Sequence, residues 1–348
     1  MRFHVPPSEI CVVMLSALGD AVHVLPVLNA LKRAWPSSRI TWVVQPVPYL
    51  LARDHPAPDR LVVFHRRKGP GAWRSFLDAG RQLRERRFDL LIALQVYAKA
   101  GVLTALARAD LKLGFDRARA RDLNWLVTNE RIGARPVQHV QDQYFEFLQH
   151  LGVDPEPVEW RIPIHDDERE AQRQFFQDLD RPACGVVVGT SKPEKNWAPE
   201  RYARMLDALE SDFGMRPVLL GGPTTVEREM AVDILARTDA RVVDMLGDDI
   251  RRLVWLLEGA PLVISPDTGP LHLARALDTP VVGLYGYTNP KRYGPYRKYQ
   301  ELVVDGYARS PDEIYPASMA YRPGGMSRVT VDAVLEKVAL ARNRYSLR

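Results

Sequence analysis

The sequence predicts an α/β protein built from two similar halves, each with its own parallel sheet. Three observations predict it. Short apolar runs alternate with longer stretches of helical period along most of the chain. The alternation stops at a charged, proline-bearing segment, residues 154–181, and then restarts. The length, 348 residues, exceeds what one compact domain usually holds.

Residues 10–15 (ICVVML) are apolar throughout, as a strand buried on both faces requires. They run into the turn Ser16-Ala17-Leu18-Gly19-Asp20 and then an amphipathic stretch over 21–34. This turn has neither G-x-G-x-x-G nor a P-loop lysine, which disfavours an NAD enzyme and a kinase loop. Asp20 stands at a strand-to-helix turn, where it is either a ligand contact or a cap of the following helix. His23 is open in the same way. Further strands are expected at 39–45, 60–64, 90–94 and 111–115, with helices from 49, over 72–86 and over 139–151. A basic loop, 116–122, follows the strand at 111–115. After the boundary, a helix over 166–178 leads to strands at 185–188, 217–220 and 241–245. These alternate with helices at 199–213, 225–236 and 250–258, and an amphipathic basic helix closes the chain at 330–345.

The most informative stretch is 261–295. Its apolar strand at 262–264 breaks at Ser265-Pro266-Asp267-Thr268-Gly269-Pro270. Helical spacing of Leu271, Ala274, Arg275 and Leu277 follows, then a second strand at 281–285. Ligands of open parallel sheets sit beyond the carboxyl ends of such strands. The turn suits an anion. Asp267 or Thr268 can cap the helix, Gly269 lets a backbone approach, and the first N–H groups favour a phosphate. His272 lies about one helical turn further on, toward the same ligand.

Hydrophobic content of 46% and charged content of 26% are ordinary for a soluble globular protein. No apolar run is long enough to span a bilayer, and the N-terminus lacks a signal core. The expectation is a protein made and kept in the cytoplasm. Cys11 and Cys184 each start a strand-like run and are expected as core thiols, and no Cys/His cluster has zinc spacing. The net charge of +5 is uneven: residues 55–135 carry 17 Lys and Arg against 8 Asp and Glu. That block is either a solvated face or the mark of an anionic partner, such as nucleic acid, acidic headgroups or an acidic glycan. Aromatic residues do not interleave regularly with the arginines, which weighs against nucleic acid.

Four elements in order carry a family resemblance. Ser265-Pro266-Asp267-Thr268-Gly269-Pro270-Leu271-His272 resembles the S-x-D-[ST]-G-x-x-H signature of the ADP-heptose:lipopolysaccharide heptosyltransferases, glycosyltransferase family 9. Gly283-Leu284-Tyr285-Gly286 with Thr288-Asn289-Pro290 is similar to that family's G-L-[FY]-G-x-T-x-P. The segment 16–26 (SALGDAVHVLP) resembles its S-x-x-G-D opening, and Thr190-Ser191 with Lys195 and Trp197 its T-[ST]-x(n)-K-x-W element.

The resemblance implies a GT-B fold, two Rossmann-like domains facing each other across a cleft. It divides the chain into an acceptor domain over 1–165, a nucleotide-sugar domain over 166–328, and a helix over 329–348 crossing back to the first. It implies an inverting, metal-independent transfer from ADP-heptose or a similar nucleotide sugar, with no cofactor. Asp20 then serves as general base. Lys195 pairs with the phosphates, and Thr190, Ser191, Thr268 and Gly269 add hydrogen bonds to them. Asp267 grips the donor sugar, His272 orients the diphosphate or the turn, Met245 lines the base, and Trp197 packs. One place departs from the family pattern: Thr224-Thr225 follows Gly221-Gly222-Pro223 where an acidic residue often holds the ribose, and Glu227 comes later. The acceptor implied is an anionic, lipid-linked core oligosaccharide at the inner face of the inner membrane. Arg66, Arg67, Lys99, Arg117, Arg119 and Arg121, on loops at expected strand ends, are its candidate contacts. A transferase with another donor, a non-catalytic sugar-nucleotide binder and an epimerase of similar architecture stay open.

Overall fold

The computed structural model of the chain describes residues 5–67 and 69–345. It divides into two compact units. The first reaches Pro136 and takes in Val140–Pro163; the second holds Val137–His139 and the chain from Ile164 onward.

In the first unit, β1 (Glu9–Val13), α1 (Leu18–Ala34), β2 (Arg39–Val44), α2 (Pro46–Ala52) and β3 (Arg60–Val63) are followed by α3 (Ala72–Arg84) and β4 (Phe88–Ala93). Then come α4 (Ala98–Leu106), β5 (Ala109–Gly114), β6 (Glu130–Arg131) and α5 (Val140–Leu151). The second unit opens with α6 (Asp166–Gln177), β7 (Ala183–Val187), α7 (Pro199–Ser211), β8 (Arg216–Leu220), α8 (Thr225–Leu235) and β9 (Val243–Asp244). It continues with α9 (Ile250–Gly259), β10 (Leu262–Pro266), α10 (Gly269–Ala276), β11 (Val281–Tyr285), α11 (Pro290–Tyr293), β12 (Val303–Asp305) and α12 (Val331–Tyr345).

Each unit has a six-stranded sheet, in the orders β3-β2-β1-β4-β5-β6 and β12-β11-β10-β7-β8-β9. All of the pairings are parallel. Counted from its own first strand, the second order repeats the first, which is that of doubly wound nucleotide folds. The strand order therefore reverses between β1 and β4, and again between β7 and β10. In each unit, loops leaving the carboxyl ends of the two strands at the reversal open into a crevice of that unit where a ligand can sit.

Helices cover both faces of each sheet, so the central strands carry apolar side chains on both sides. Ile10, Cys11, Val12 and Val13 of β1 have no exposed surface, nor do Leu262, Val263 and Ile264 of β10. Cys11 and Cys184 are free buried thiols, as their strand positions predict, and burial pushes both thiols' pKa up. Beyond β11, Gly286 must be a glycine, because the backbone nitrogen of Met326 would lie 2.3 Å from a Cβ there. The terminal helix α12 packs on α7, β11 and β12, all within the second unit.

Some elements lie outside the expected set: α4, α11 and the edge strands β6 and β12. The stretch that forms α4, AKAGVLTAL, is apolar and small-residued almost all round, so it lacks the polar stripe that marks a surface helix. The edge strands have two and three residues, too few to show a period.

Two histidines, the buried His55 and the half-buried His139, make stability depend on pH. His55 Nε2 lies 2.8 Å from the Trp160 carbonyl while its Nδ1 accepts the Ala57 N–H at 3.2 Å, a pattern that only a neutral ring satisfies. Burial lowers its pKa to about 4, and burial likewise lowers that of His139 to about 4. Between the unfolded value near 6.5 and this folded value, only the unfolded chain takes up the proton. Stability is therefore lost as pH falls from 6.5 toward 4, by up to about 3 kcal/mol per histidine. Urea unfolding at pH 7.5, 6 and 5, each pH about one and a half units or less from the next, should show a falling midpoint. His55→Gln should flatten the slope. A midpoint independent of pH over that window would contradict the account.

Candidate functional site

The second unit's crevice is built by the loops after β7 and β10. Beyond β7 the chain turns at Gly189 with φ +77°, and a Cβ there would meet Glu227 Cγ at 2.7 Å. The turn releases the loop carrying Thr190, Ser191 and Lys195. Thr190 is buried, and its hydroxyl holds the loop in shape: it lies 2.6 Å from the Lys192 carbonyl and 2.9 Å from Asn196 Oδ1, and accepts the Lys192 N–H at 3.2 Å. Ser191 is exposed.

The loop brings Lys195 to the end of β10. Its Nζ donates to Asp267 Oδ2 at 2.7 Å and to the Asp267 carbonyl at 3.0 Å. The Thr288 hydroxyl donates to the same Oδ2 at 2.6 Å, and His272 Nε2 stands 3.5 Å from Oδ1. Asp267 is 5% exposed, and burial on its own would favour the neutral acid. The hydrogen bond from His272 and the charge of Lys195 outweigh burial and hold this carboxyl well below the usual carboxylate range. The outcome is an ionised, buried carboxylate that fixes one cation and one imidazole at the start of α10.

Thr268 is the N-cap residue of α10 by position, but its side chain makes no cap hydrogen bond, and the Asp267 carboxylate is turned to Lys195 and Thr288. The expected side-chain cap is therefore absent. Pro270 has no N–H and the Leu271 N–H donates to the Thr268 carbonyl at 3.1 Å, so the Gly269 N–H is the donor that this helix start offers an anion, with Lys195 nearby.

Met245 follows β9 half-buried, held by its N–H to the Leu219 carbonyl at 3.0 Å. Glu227 is committed to the backbone: Oε1 accepts the Gly222 N–H at 2.8 Å, and Oε2 accepts the Thr224 hydroxyl at 2.5 Å. Thr224 in turn accepts the Glu227 N–H at 3.3 Å and so caps α8 with its side chain. Trp197 is buried, packs edge-on to Tyr202 and donates to the Val329 carbonyl at 2.8 Å. Asp178-Leu179-Asp180 has the form Asp-x-Asp, but Asp180 is taken up by Arg216 and Arg241. Among the described residues no group of three or more His, Cys, Asp or Glu could hold a metal ion.

The first unit's crevice is built by the loops after β1 and β4. Asp20 is half-buried in the first turn of α1, where its Oδ2 accepts the Ala17 N–H at 3.0 Å. Two residues after β4 secure this turn. Gln95, buried, donates to the Ser16 carbonyl at 2.6 Å and accepts the Leu15 N–H at 3.2 Å. Lys99 donates to the Ser16 hydroxyl at 2.6 Å. Burial and the neighbouring Arg66 lower the Lys99 pKa, and Asp20 acts in the opposite sense. Asp20, Lys99 and Arg66 thus share one electrostatic neighbourhood. Gln95 had no signal in the sequence, since a lone glutamine at a strand end has no pattern.

Arg66, Arg67 and Lys99 line one cavity of about 720 Å³, together with Phe64, Phe76 and Tyr97. Arg117 stacks over Trp125 at 4.4 Å, and neither it nor Arg121 lines the cavity. Arg119 is a structural residue: it pairs with Asp116 and with Glu146, the latter at 2.7 Å, and donates to the Gly133 carbonyl. His23, facing Gln141 at 3.0 Å, ties α1 to α5.

The glycosyltransferase family 9 (heptosyltransferase) model matches residues 76–320. Lipopolysaccharide core heptosyltransferase OpsX of Haemophilus influenzae is 30% identical over 337 residues, covering 94% of this chain and 95% of that protein. Lipopolysaccharide heptosyltransferase 1 of Escherichia coli K12 is 29% identical over 346 residues, 95% of this chain and 99% of that protein. Among solved structures, a glycosyl transferase of family 9 from Veillonella parvula superposes with a TM-score of 0.81 at 23% identity, covering 96% and 97% of the two chains. The E. coli heptosyltransferase WaaC with ADP-2-deoxy-2-fluoro heptose gives 0.72 at 24% identity, covering 95% and 99%. These structural likenesses show the GT-B fold.

Removing the Asp267 carboxylate leaves Lys195 and His272 without their shared counter-charge. Asp267→Ala should destabilise the second unit by roughly 3 kcal/mol. Denaturant unfolding checks it, and a loss below about 1 kcal/mol would show that the cluster relaxes at little cost.

Proposed function

We propose that this chain, which belongs to glycosyltransferase family 9, the heptosyltransferases, moves a heptose from ADP-heptose to the inner core of lipopolysaccharide or lipooligosaccharide. The coarser statement, a heptosyltransferase of the lipopolysaccharide core, follows from the family. The reaction in this reading inverts the anomeric carbon and uses no metal. The observation that carries it is Asp20, at the carboxyl end of β1, in the electrostatic neighbourhood of Lys99 and Arg66.

The acceptor hydroxyl oxygen attacks the anomeric carbon as the bond from that carbon to the diphosphate oxygen breaks. Asp20 takes the hydroxyl proton, and the nucleoside diphosphate leaves with the bonding pair. Its growing charge is met by Lys195 and by the Gly269 N–H at the start of α10. Asp267 holds Lys195 in place, and gripping the donor sugar would require its carboxylate to exchange one of its present partners, Lys195, Thr288 or His272. Support for the donor comes from the relative solved with ADP-2-deoxy-2-fluoro heptose. The cavity lined by Arg66, Arg67 and Lys99 suits an anionic acceptor. An enzyme that extends a lipid-linked core acts as a peripheral protein at the cytoplasmic face of the inner membrane. No helix among the described residues is long and apolar enough to cross it.

Asp20→Asn should lower kcat about a thousandfold while ADP affinity, read by calorimetry, stays within about twofold. Retained turnover would remove Asp20 from the role of base, and absence of transfer in the wild-type protein would favour a non-catalytic binder. Arg66→Glu should raise the acceptor KM about tenfold or more and leave the donor KM unchanged, with a smaller effect from Arg117→Glu. Equal effects at the two positions would mean that the cavity does not hold the acceptor.

A further inference from the structure

We propose that the face of the first unit formed by α3, α4 and the 3₁₀ turn Asn124–Val127 docks on an anionic phospholipid bilayer. The inference rests on the preceding reading only for the acceptor's lipid anchor; the face itself is argued from its own residues. Six large apolar side chains stand in water on these adjoining elements. They are Trp73 and Leu77, one turn apart on α3, Tyr97 and Val102 at the start and middle of α4, and Leu123 and Leu126 on the turn. α3 packs on α4, and α4 on the turn, so the elements that carry the six adjoin one another.

Their exposure is large: 56% for Trp73, 62% for Leu123 and 60% for Leu126. It is also held in place. The Asp122 carboxylate accepts the Ala98 N–H at 3.0 Å at the start of α4, and Asn124 donates to the Gln95 carbonyl at 2.9 Å. Between these anchors Asp122 and Leu123 both sit in the left-handed region, at φ 51° and 58°. A leucine is rarely found there, and here the strained backbone directs an apolar side chain outward rather than into the core. Packing within the unit does not account for that arrangement.

Cations accompany the apolar residues. The Arg74 guanidinium lies 5.7 Å from the Trp73 ring and that of Arg117 4.4 Å from the Trp125 ring. Arg66 and Arg67 share the cavity wall with Tyr97 and Val102. Aromatic and aliphatic groups interleaved with guanidinium groups match the boundary between acyl chains and anionic headgroups. The local basic excess supplies the charge complementarity that selects a negative bilayer over a neutral one. The face adjoins the cationic cavity through Tyr97, Val102 and Asp122, so docking would set the cavity's mouth at the headgroup level.

The test is flotation of the full chain with phosphatidylcholine vesicles, alone or with about one-third phosphatidylglycerol. Wild-type protein should bind the anionic vesicles about tenfold or more tightly than the neutral ones, with a blue shift of tryptophan emission and weakening by salt. Leu123→Ser with Leu126→Ser should lower that affinity about tenfold, and Arg74→Glu should weaken both the binding and its salt dependence. All variants should keep wild-type thermal unfolding and wild-type turnover on a lipid-free acceptor fragment. No preference for anionic vesicles, or unchanged binding by the double variant, overturns the proposal. So does a double variant whose change appears only as loss of self-association in sedimentation, which would make the face a contact between copies. Failure of wild-type turnover on the lipid-free acceptor speaks against the proposed reaction and leaves the vesicle result to decide the surface.

Discussion

Asp267 is the constraint on which the second unit's site depends. A carboxylate buried at the end of β10 is costly unless cations and donors surround it. Lys195, His272 and Thr288 do so, from the loop after β7, helix α10 and the segment after β11. Three of the motifs that carry the family resemblance thereby meet at one group. The loop after β7 supplies the lysine, the stretch from β10 into α10 the aspartate and histidine, and the segment after β11 the threonine. In the free protein this arrangement keeps an ammonium group next to the uncapped start of α10 without an anion present. In the proposed reaction a diphosphate would meet counter-charges already positioned, which is the advantage of preorganisation.

The first unit uses the same strand order for a different purpose. Its reversal point between β1 and β4 gathers one carboxylate and a set of cations. Here the pins are Gln95 and Lys99, which hold the Ser16 end of the turn while Asp20 closes it from the first turn of α1. An acid beside cations is suited to an anionic acceptor whose hydroxyl must lose a proton. One topology, repeated, carries the proposed base in one unit and the proposed phosphate site in the other.

Much of this was legible in the sequence, for physical reasons that also explain the gaps. Strands buried on both faces must be apolar runs, so the sheet cores and the loops after them stood out. Motif spacing located Asp20, Lys195 and Asp267. The α4 helix escaped because its residues are apolar or small nearly all round and leave no polar stripe, and β6 and β12 because they are too short. The basic block over 55–135 looked like one feature and is several. Arg60, Arg86 and Arg87 pair with Glu85, Glu9 and Asp110, and Arg119 with Asp116 and Glu146. Partners as far apart in sequence as Glu9 and Arg86 leave no local trace. Glu227 shows the converse. Its place three residues after Thr224 stands in the sequence, but its hold on Gly222 and its contact behind Gly189 depend on the fold.

The central claim is that Lys195, held by Asp267, is the cation that receives the donor's diphosphate. Calorimetric titration of ADP into wild-type protein and Lys195→Met tests it most directly. The account predicts a loss of ADP affinity of about tenfold to a hundredfold, with AMP, which lacks the second phosphate, much less affected. Equal ADP affinity in the two proteins, with both folded, would contradict it.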